Sequence, residues 1–311
     1  MIEILLSIAP IFVLIVLGHG LRRGGIPSIE FWNLNDRLVY WVLFPALLFV
    51  KMSSLGISTD LIGSYAVVIL GGFFGAVAFA LLAGRLLGLA APAASSLLQG
   101  STRHNTFIAL AVAERLYGSE GLALAVLSTA LLIPTTNLTV VSLMTTMLRQ
   151  PGERGVLKAV LRDLARNPLL LAVGLGIGVN LSGSGRIPVV HDVTEILGGA
   201  ALPVMLLCVG ANLRVRAMAA AAVPTIASML GKLLVLPAVL LVLAHYVGLS
   251  ANATLIALLF GAAPTAASGY TLARQMGGDA PLMAAMITLQ TALSLITLPL
   301  TVLIARSVLN A

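Results

Sequence analysis

An all-α membrane protein of ten transmembrane helices, built as two inverted five-helix repeats with helices 4 and 9 broken and crossed, is the fold that the sequence predicts. Three observations predict it. Of 311 residues, 59% are hydrophobic and 9% charged, with a mean hydropathy of +1.07, far more apolar than a soluble domain of this size. Apolar stretches of nearly the roughly 20 residues that one bilayer crossing needs recur along the whole chain. The same landmarks also appear twice in one order, about 160 residues apart. An odd number of crossings per copy forces the second copy to insert upside down, an arrangement found in secondary transporters.

The ten segments are 4–22, 32–52, 61–89, 93–117, 121–148, 167–182, 190–212, 219–247, 251–275 and 281–305. Residues 1–148 form the first repeat, 149–166 a basic linker and 167–311 the second, inverted repeat. The first segment reads as a retained span. Glu3 precedes the apolar run and Arg22-Arg23 follow it, the reverse of a signal peptide's charge order, with no small-residue cleavage site behind them. The sixth segment is short and rich in glycine, and the second, fourth and seventh carry polar residues.

The repeat is legible by inspection. Pro10 and Pro168 open the first span of each half, and Leu43-Phe44-Pro45-Ala46-Leu47-Leu48 answers Ala201-Leu202-Pro203-Val204-Met205-Leu206, both at an offset of 158. Leu87-Gly88-Leu89 answers Val247-Gly248-Leu249, and Ala113 to Gly118 answers Ala273 to Gly278, both at 160.

Lys and Arg outside the spans give the orientation. Arg22, Arg23, Arg37, Arg85, Arg149, Arg154, Lys158, Arg162, Arg166, Arg214, Arg216 and Arg274 fall on one side, against Lys51, Arg115, Arg186 and Arg306 on the other. The richer side is cytoplasmic, which puts both termini outside the cell membrane. The formal net charge of +7 therefore reports topology. No basic patch interleaved with aromatics suggests nucleic acid. Cys208 is alone, so no disulfide or thiolate site can form, and it reads as a small packed hydrophobe. His19, His104, His191 and His245 lack metal-ligand spacing, and no metal or cofactor is expected. Gly174-Leu175-Gly176-Ile177-Gly178 has no strand before it and reads as helix packing.

Polar clusters inside spans are costly in hydrocarbon and mark pathways or binding sites. The fourth span holds the densest one, Gln99, Ser101, Thr102, Arg103, His104, Asn105 and Thr106. Its repeat partner runs from Gly261 to Tyr270 and contains Pro264, which removes a backbone donor and disfavours a helical Ala263. Both stretches predict broken helices whose inner N-termini offer free amides to an anion; the alternative is a simple proline kink with small residues allowing close packing. Arg103 can grip a carboxylate through two parallel hydrogen bonds, or it snorkels or pairs with Asp36 or Glu114. His104 either packs or carries a coupled proton. Thr106, Thr265, Ser268, Asn137 and Gln290 supply hydrogen-bonding groups for a ligand or hold helices together. Asp36 and Lys232 are placed for coupling or charge support, with snorkelling the alternative for Lys232.

At these residues the chain resembles the auxin efflux carrier family, whose bacterial members include malonate and malate permeases. The likeness rests on Leu34-Asn35 through Phe49, on Arg103-His104-Asn105-Thr106-Phe107-Ile108-Ala109-Leu110 with Leu116-Tyr117-Gly118, and on Pro264 through Tyr270. It covers nearly the whole chain. The resemblance implies a ten-helix fold similar to bile-acid symporters and sodium/proton antiporters, often dimeric, with Asn105 and Pro264 at the crossing and Gln290 and Asp36 as polar support. Plant members usually carry an amide after the second crossover proline, where this chain has Thr265. A small mono- or dicarboxylate such as malonate or malate therefore fits better than an auxin-like acid. The expectation is a secondary transporter of a small organic anion in the bacterial inner membrane, lipid-embedded, homodimeric, coupled to protons or sodium, and not an enzyme. A ligand sensor on the same fold is one alternative; a lipid-modifying membrane enzyme is another, although only 11 Asp and Glu are present and they are dispersed.

Overall fold

A computed structural model describes residues 2–56, 59–148, 161–162, 164–214 and 222–309. Most of the basic linker expected at 149–166, and Arg216 with it, lies outside these residues. All regular structure among the described residues is helical: α1 (Ile2–Arg23), α2 (Ile29–Leu38), α3 (Phe44–Ser53), α4 (Thr59–Leu86), α5 (Ala91–Thr102), α6 (Thr106–Leu148), α7 (Pro168–Leu181), α8 (Val190–Ala211), α9 (Ala222–Leu230), α10 (Leu236–Val247), α11 (Ala251–Ala262), α12 (Ser268–Met276) and α13 (Ala280–Leu309). Six stretches are long and apolar enough to cross a membrane, and α7 and α11 are shorter apolar helices.

Local chemistry fixes the ends and joints. Asn167 caps α7 by accepting from the amides of Leu169 and Leu170, with Pro168 at the first helical position where its missing N–H is harmless. Ser28 caps α2 and Ser250 caps α11 in the same way. Residues Val39–Leu43 and Gly231–Val235 wind as π-helix and join α2 to α3 and α9 to α10. Each π segment covers the turn before a proline, Pro45 or Pro237, whose ring and missing donor loosen the regular ladder there.

Some expected boundaries shift. Pro10 does not open the first span; it lies inside α1, which begins at Ile2. The expected spans 93–117 and 121–148 run on as a single 58-residue stretch, Ala91–Leu148, far longer than one crossing. It is interrupted at residues 103–105 and turned at Gly118, where φ is 60° and ψ −148°. The expected span 251–275 is likewise split into α11 and α12.

The helices pack as two groups. One comprises α1, the α2–α3 rod, α7 and α8; the other comprises α4, α5, α6, the α9–α10 rod and α11 to α13. Contact between them is made chiefly by α6 against α1, α3 and α8. Within the first group, α1 and α8 approach so closely that a Cβ on Gly18 would overlap the Leu207 carbonyl, and one on Gly210 would overlap the Ile15 carbonyl. Small residues allow this backbone contact where apolar lipid supplies no hydrophobic drive between helices. In α7, only Gly176 of the three neighbouring glycines is pressed against another helix, at Met52 and the Phe49 carbonyl. Large apolar side chains such as Leu6, Val16 and Leu181 point outward, 62%, 69% and 81% exposed, a surface suited to lipid. Gly210→Ala is expected to cost about 1–3 kcal/mol by overpacking and to lower the unfolding midpoint in detergent. Gly199→Ala, on the same helix with open space beside it, should leave that midpoint unchanged.

Candidate functional site

The two interruptions have matching geometry. The helix before the first ends on Arg103 with φ −71° and ψ 148°, and the helix before the second on Ala263 with φ −62° and ψ 138°. The amide of each still bonds four residues back, to Gln99 and Leu259, at 2.9 Å in both cases. Pro264 accounts for the extended Ala263. At Arg103 the polar run Arg103-His104-Asn105 leaves the helix to reach partners elsewhere. The interruptions touch: the Asn105 amide donates to the Pro264 carbonyl at 2.6 Å.

Exposed backbone ends at a break need partners in a dry interior, and Gln290 and Thr265 provide them. Gln290 Oε1 accepts from the Thr265 amide at 2.9 Å, while its Nε2 donates to the Gly100 carbonyl and to Ser228 Oγ, each at 2.9 Å. Thr265 Oγ1 donates to the same Gly100 carbonyl at 2.7 Å. Pro264, Thr265 and Gln290 therefore hold the crossing together; none of them lines the adjoining cavity.

That cavity, about 860 Å³, opens between the two helix groups. One wall carries Asp36, Arg37, Tyr40, Trp41 and Phe44 from the α2–α3 rod, with Cys208, Asn212 and Arg214 at the end of α8. The other carries Arg103 through Phe107, Thr136 and Asn137 of α6, and Ser268, Tyr270 and Arg274 of α12. Of the expected ligand residues, the structure thus brings Arg103, His104, Asn105, Thr106, Asn137 and Ser268 to one cavity, with Asp36 facing them.

Arg103 is 8% exposed. Its Nη1 donates to Ser268 Oγ and its Nη2 to Asn137 Oδ1, both at 3.1 Å, and its buried Nε has no partner. The pairing with Asp36 or Glu114 weighed above is not made. Asp36 Oδ2 accepts from Asn212 Nδ2 at 2.9 Å, and Asn212 Oδ1 accepts from Arg22 at 3.0 Å. Glu114 lines a second cavity, about 620 Å³, with Lys51, Arg115 and Glu195. The edge-to-face pair Phe44–Phe107, with ring centroids 5.2 Å apart, lines the first cavity and not the second. Four guanidinium groups, Arg37, Arg103, Arg214 and Arg274, line the first cavity against one carboxylate, Asp36. The ion pairs among the described residues are those of Arg186 with Asp192 and Glu195, at the start of α8.

The expectation of free amides at the inner helix ends needs correcting. Asn105 Oδ1 accepts from the amides of Phe107 and Ile108, both at 3.2 Å, and so caps α6 itself. What remains of Asn105 for a ligand is its Nδ2, a donor with no partner among the described residues. Lys232 lies apart from the large cavity, fully buried in a small pocket that it shares with His104. His104 lines both spaces and stacks obliquely on Phe260, 5.7 Å between centroids.

Sequence reasoning gave no binding role to Arg37, Asn212, Arg214 or Tyr270. The Arg214 guanidinium lies over the Tyr270 ring at 3.8 Å, and its amide donates to Thr288 Oγ1 at 3.2 Å. A cation and an aromatic 56 positions apart carry no mutual signal in a linear chain, and Arg214 counted there only towards orientation. Cys208 is buried as expected, and it also accepts from Asn35 Nδ2 at 3.2 Å. Among the described residues no group of three His, Cys, Asp or Glu side chains could hold a metal.

Three substitutions separate scaffold from ligand groups. Gln290→Leu strands the Thr265 amide and loses a donor to Gly100, and is expected to destabilise by about 1–3 kcal/mol for the stranded group. Asn105→Ala should cost about 1 kcal/mol through the lost cap, whereas Asn105→Asp keeps the capping oxygen and should hold stability. Thermal unfolding in detergent reads all three.

No curated protein matches the chain. Residues 3–302 match the membrane transport protein family. Six apolar helices of crossing length agree with a multi-pass membrane protein, and on a match of almost its full length the chain belongs to that family, the auxin efflux carrier group that its motifs resemble.

Proposed function

We propose that this transporter moves a small organic anion, a mono- or dicarboxylate of the malonate or malate kind, by alternating access. The observation that carries the reading is Arg103: a buried guanidinium with no carboxylate partner and an unpartnered Nε–H, in a cavity lined by four arginines and a single acid. A buried charge of this kind needs compensation, and a carboxylate bound through parallel hydrogen bonds supplies it. Asn105 Nδ2 and the unpartnered Thr136 Oγ1 add neutral donors. Asn137 and Ser268, in the wall of the same cavity, orient the guanidinium.

In this reading the chain comprises two inverted halves, 1–148 and 167–311, each of five spans with its fourth broken. Support comes from the matched breaks at Arg103 and Ala263 and from the glycines Gly88 and Gly248, both with positive φ, that follow α4 and α10. The large cavity opens beside Arg37, Arg214 and Arg274, on the basic, cytoplasmic side, with both termini on the other. The second cavity, with Lys51 and Arg115, is also lined from both helix groups, by α1, α3 and α8 and by α6. Sliding one group past the other would close the first space and open the second, the two-sided access that a carrier requires. A bacterial inner membrane is the location that fits this reading.

Purified protein screened by thermal shift against malonate, malate, succinate and acetate, with and without sodium, should be stabilised by its substrate class. In proteoliposomes, Arg103→Gln is expected to weaken uptake of the labelled anion by about 10- to 100-fold, the equivalent of one lost charge-assisted contact. Asn105→Asp should abolish uptake while leaving the protein folded, since it sets a negative charge against the substrate. Wild-type uptake that survives both substitutions would refute the site, and binding without flux would make the protein a sensor.

A further inference from the structure

Lys232 is the most deeply buried cation among the described residues, at 0% exposure. It sits in the π-helical turn Gly231–Val235, and its Nζ reaches only the Phe260 carbonyl, at 3.5 Å, near the C-terminal end of α11. The pocket around it is formed by Ile69, Phe73, Leu236, Leu240 and Phe260, together with Thr102 and His104, and leaves about 10 Å³, room for a single water. No carboxylate lines it. The described ionisable side chains on the helices packed round this turn are Tyr65 and Arg85 of α4 and His245 and Tyr246 of α10, and none of them enters the pocket. Tyr65 instead bonds Ser128. His104 does enter, and Arg103 precedes it in the chain.

Two cationic positions, Lys232 and Arg103, thus flank His104 with no ion pair to a carboxylate among the described residues, the one acid of the anion cavity, Asp36, being bonded to Asn212. An ammonium in such a place is costly unless a negative charge arrives nearby. The anion expected on Arg103 is that charge. Its binding and the protonation of Lys232 must then favour each other, because linkage between two sites is reciprocal. His104, which lines both the anion cavity and the lysine pocket, is the group placed to pass a proton between them.

We propose that Lys232 is the proton-binding site of this carrier, loaded through His104 when an anion occupies Arg103, so that anion and proton travel together. The inference rests on the anion reading above. The proton comes from water in the large cavity, resides on Nζ while the anion is bound, and returns by the same route on release. A π-turn at this position fits the role, since such turns recur at functional sites.

Titrating malonate into the detergent-solubilised protein in buffers of different ionisation enthalpy reads the protons taken up on binding. The wild type should take up about one proton per anion at the pH where linkage is greatest, and its affinity for malonate should fall as pH rises. Lys232→Arg keeps a charge that cannot be released; it should bind malonate with no proton uptake and with little dependence on pH. Lys232→Met should bind more weakly, also without uptake. Wild-type binding with no proton uptake would overturn the assignment, as would uptake that persists in Lys232→Arg. Absence of any malonate binding by the wild type would instead remove the anion reading on which the assignment stands.

Discussion

A backbone hydrogen bond between two interrupted helices, Asn105 N–H to the Pro264 carbonyl at 2.6 Å, is the contact that the rest of this site depends on. A helix broken inside hydrocarbon leaves amides and carbonyls that water cannot reach, and each such group left unpaired destabilises the fold. The chain resolves this by making each break the partner of the other. Gln290 and Thr265 close the remaining gaps onto Gly100. Once these groups are satisfied, the polar side chains Arg103, His104 and Asn105 are free to project away from the crossing.

The consequence is a division of labour within one short polar run. Asn105 spends its oxygen on the α6 cap and keeps its amide nitrogen for the cavity. Arg103 is oriented by two neutral acceptors, Asn137 and Ser268. Neutral partners hold the guanidinium without cancelling its charge, which is the condition for binding an anion rather than merely burying a salt bridge. His104 borders both that cavity and the pocket of Lys232. Three consecutive residues thus meet a helix end, an open cavity and a second buried cation.

The cavity owes its position to the packing of two helix groups. Within each group the contacts are close, to the point where Gly18 and Gly210 admit no side chain. Between the groups the contact is thinner, and both larger cavities are lined from both sides of that seam.

Much of this was legible in the chain itself. Hydropathy and length marked the membrane class, Pro264 marked a break, and the run Gln99 to Thr106 marked the polar centre, because each of these is a local property of composition or backbone covalency. Arg103, Asn105, Asn137 and Ser268 could be named as candidates for the same reason: polar groups at membrane depth are conspicuous without any structure. What the sequence could not decide was which of them face a ligand and which face one another. Gln290 and Thr265 look as available as Asn137, yet their hydrogen bonds are used up on Gly100 and Ser228, partners 190 and 62 positions away from Gln290 in the first case and the second. Arg214 on Tyr270, the separation of Lys232 from the main cavity, and the capping role that occupies Asn105 Oδ1 are likewise products of tertiary contact. Composition sets which groups must find partners; only the folded chain, by bringing distant segments within about 3 Å, determines which partner each one finds and which charge is left open.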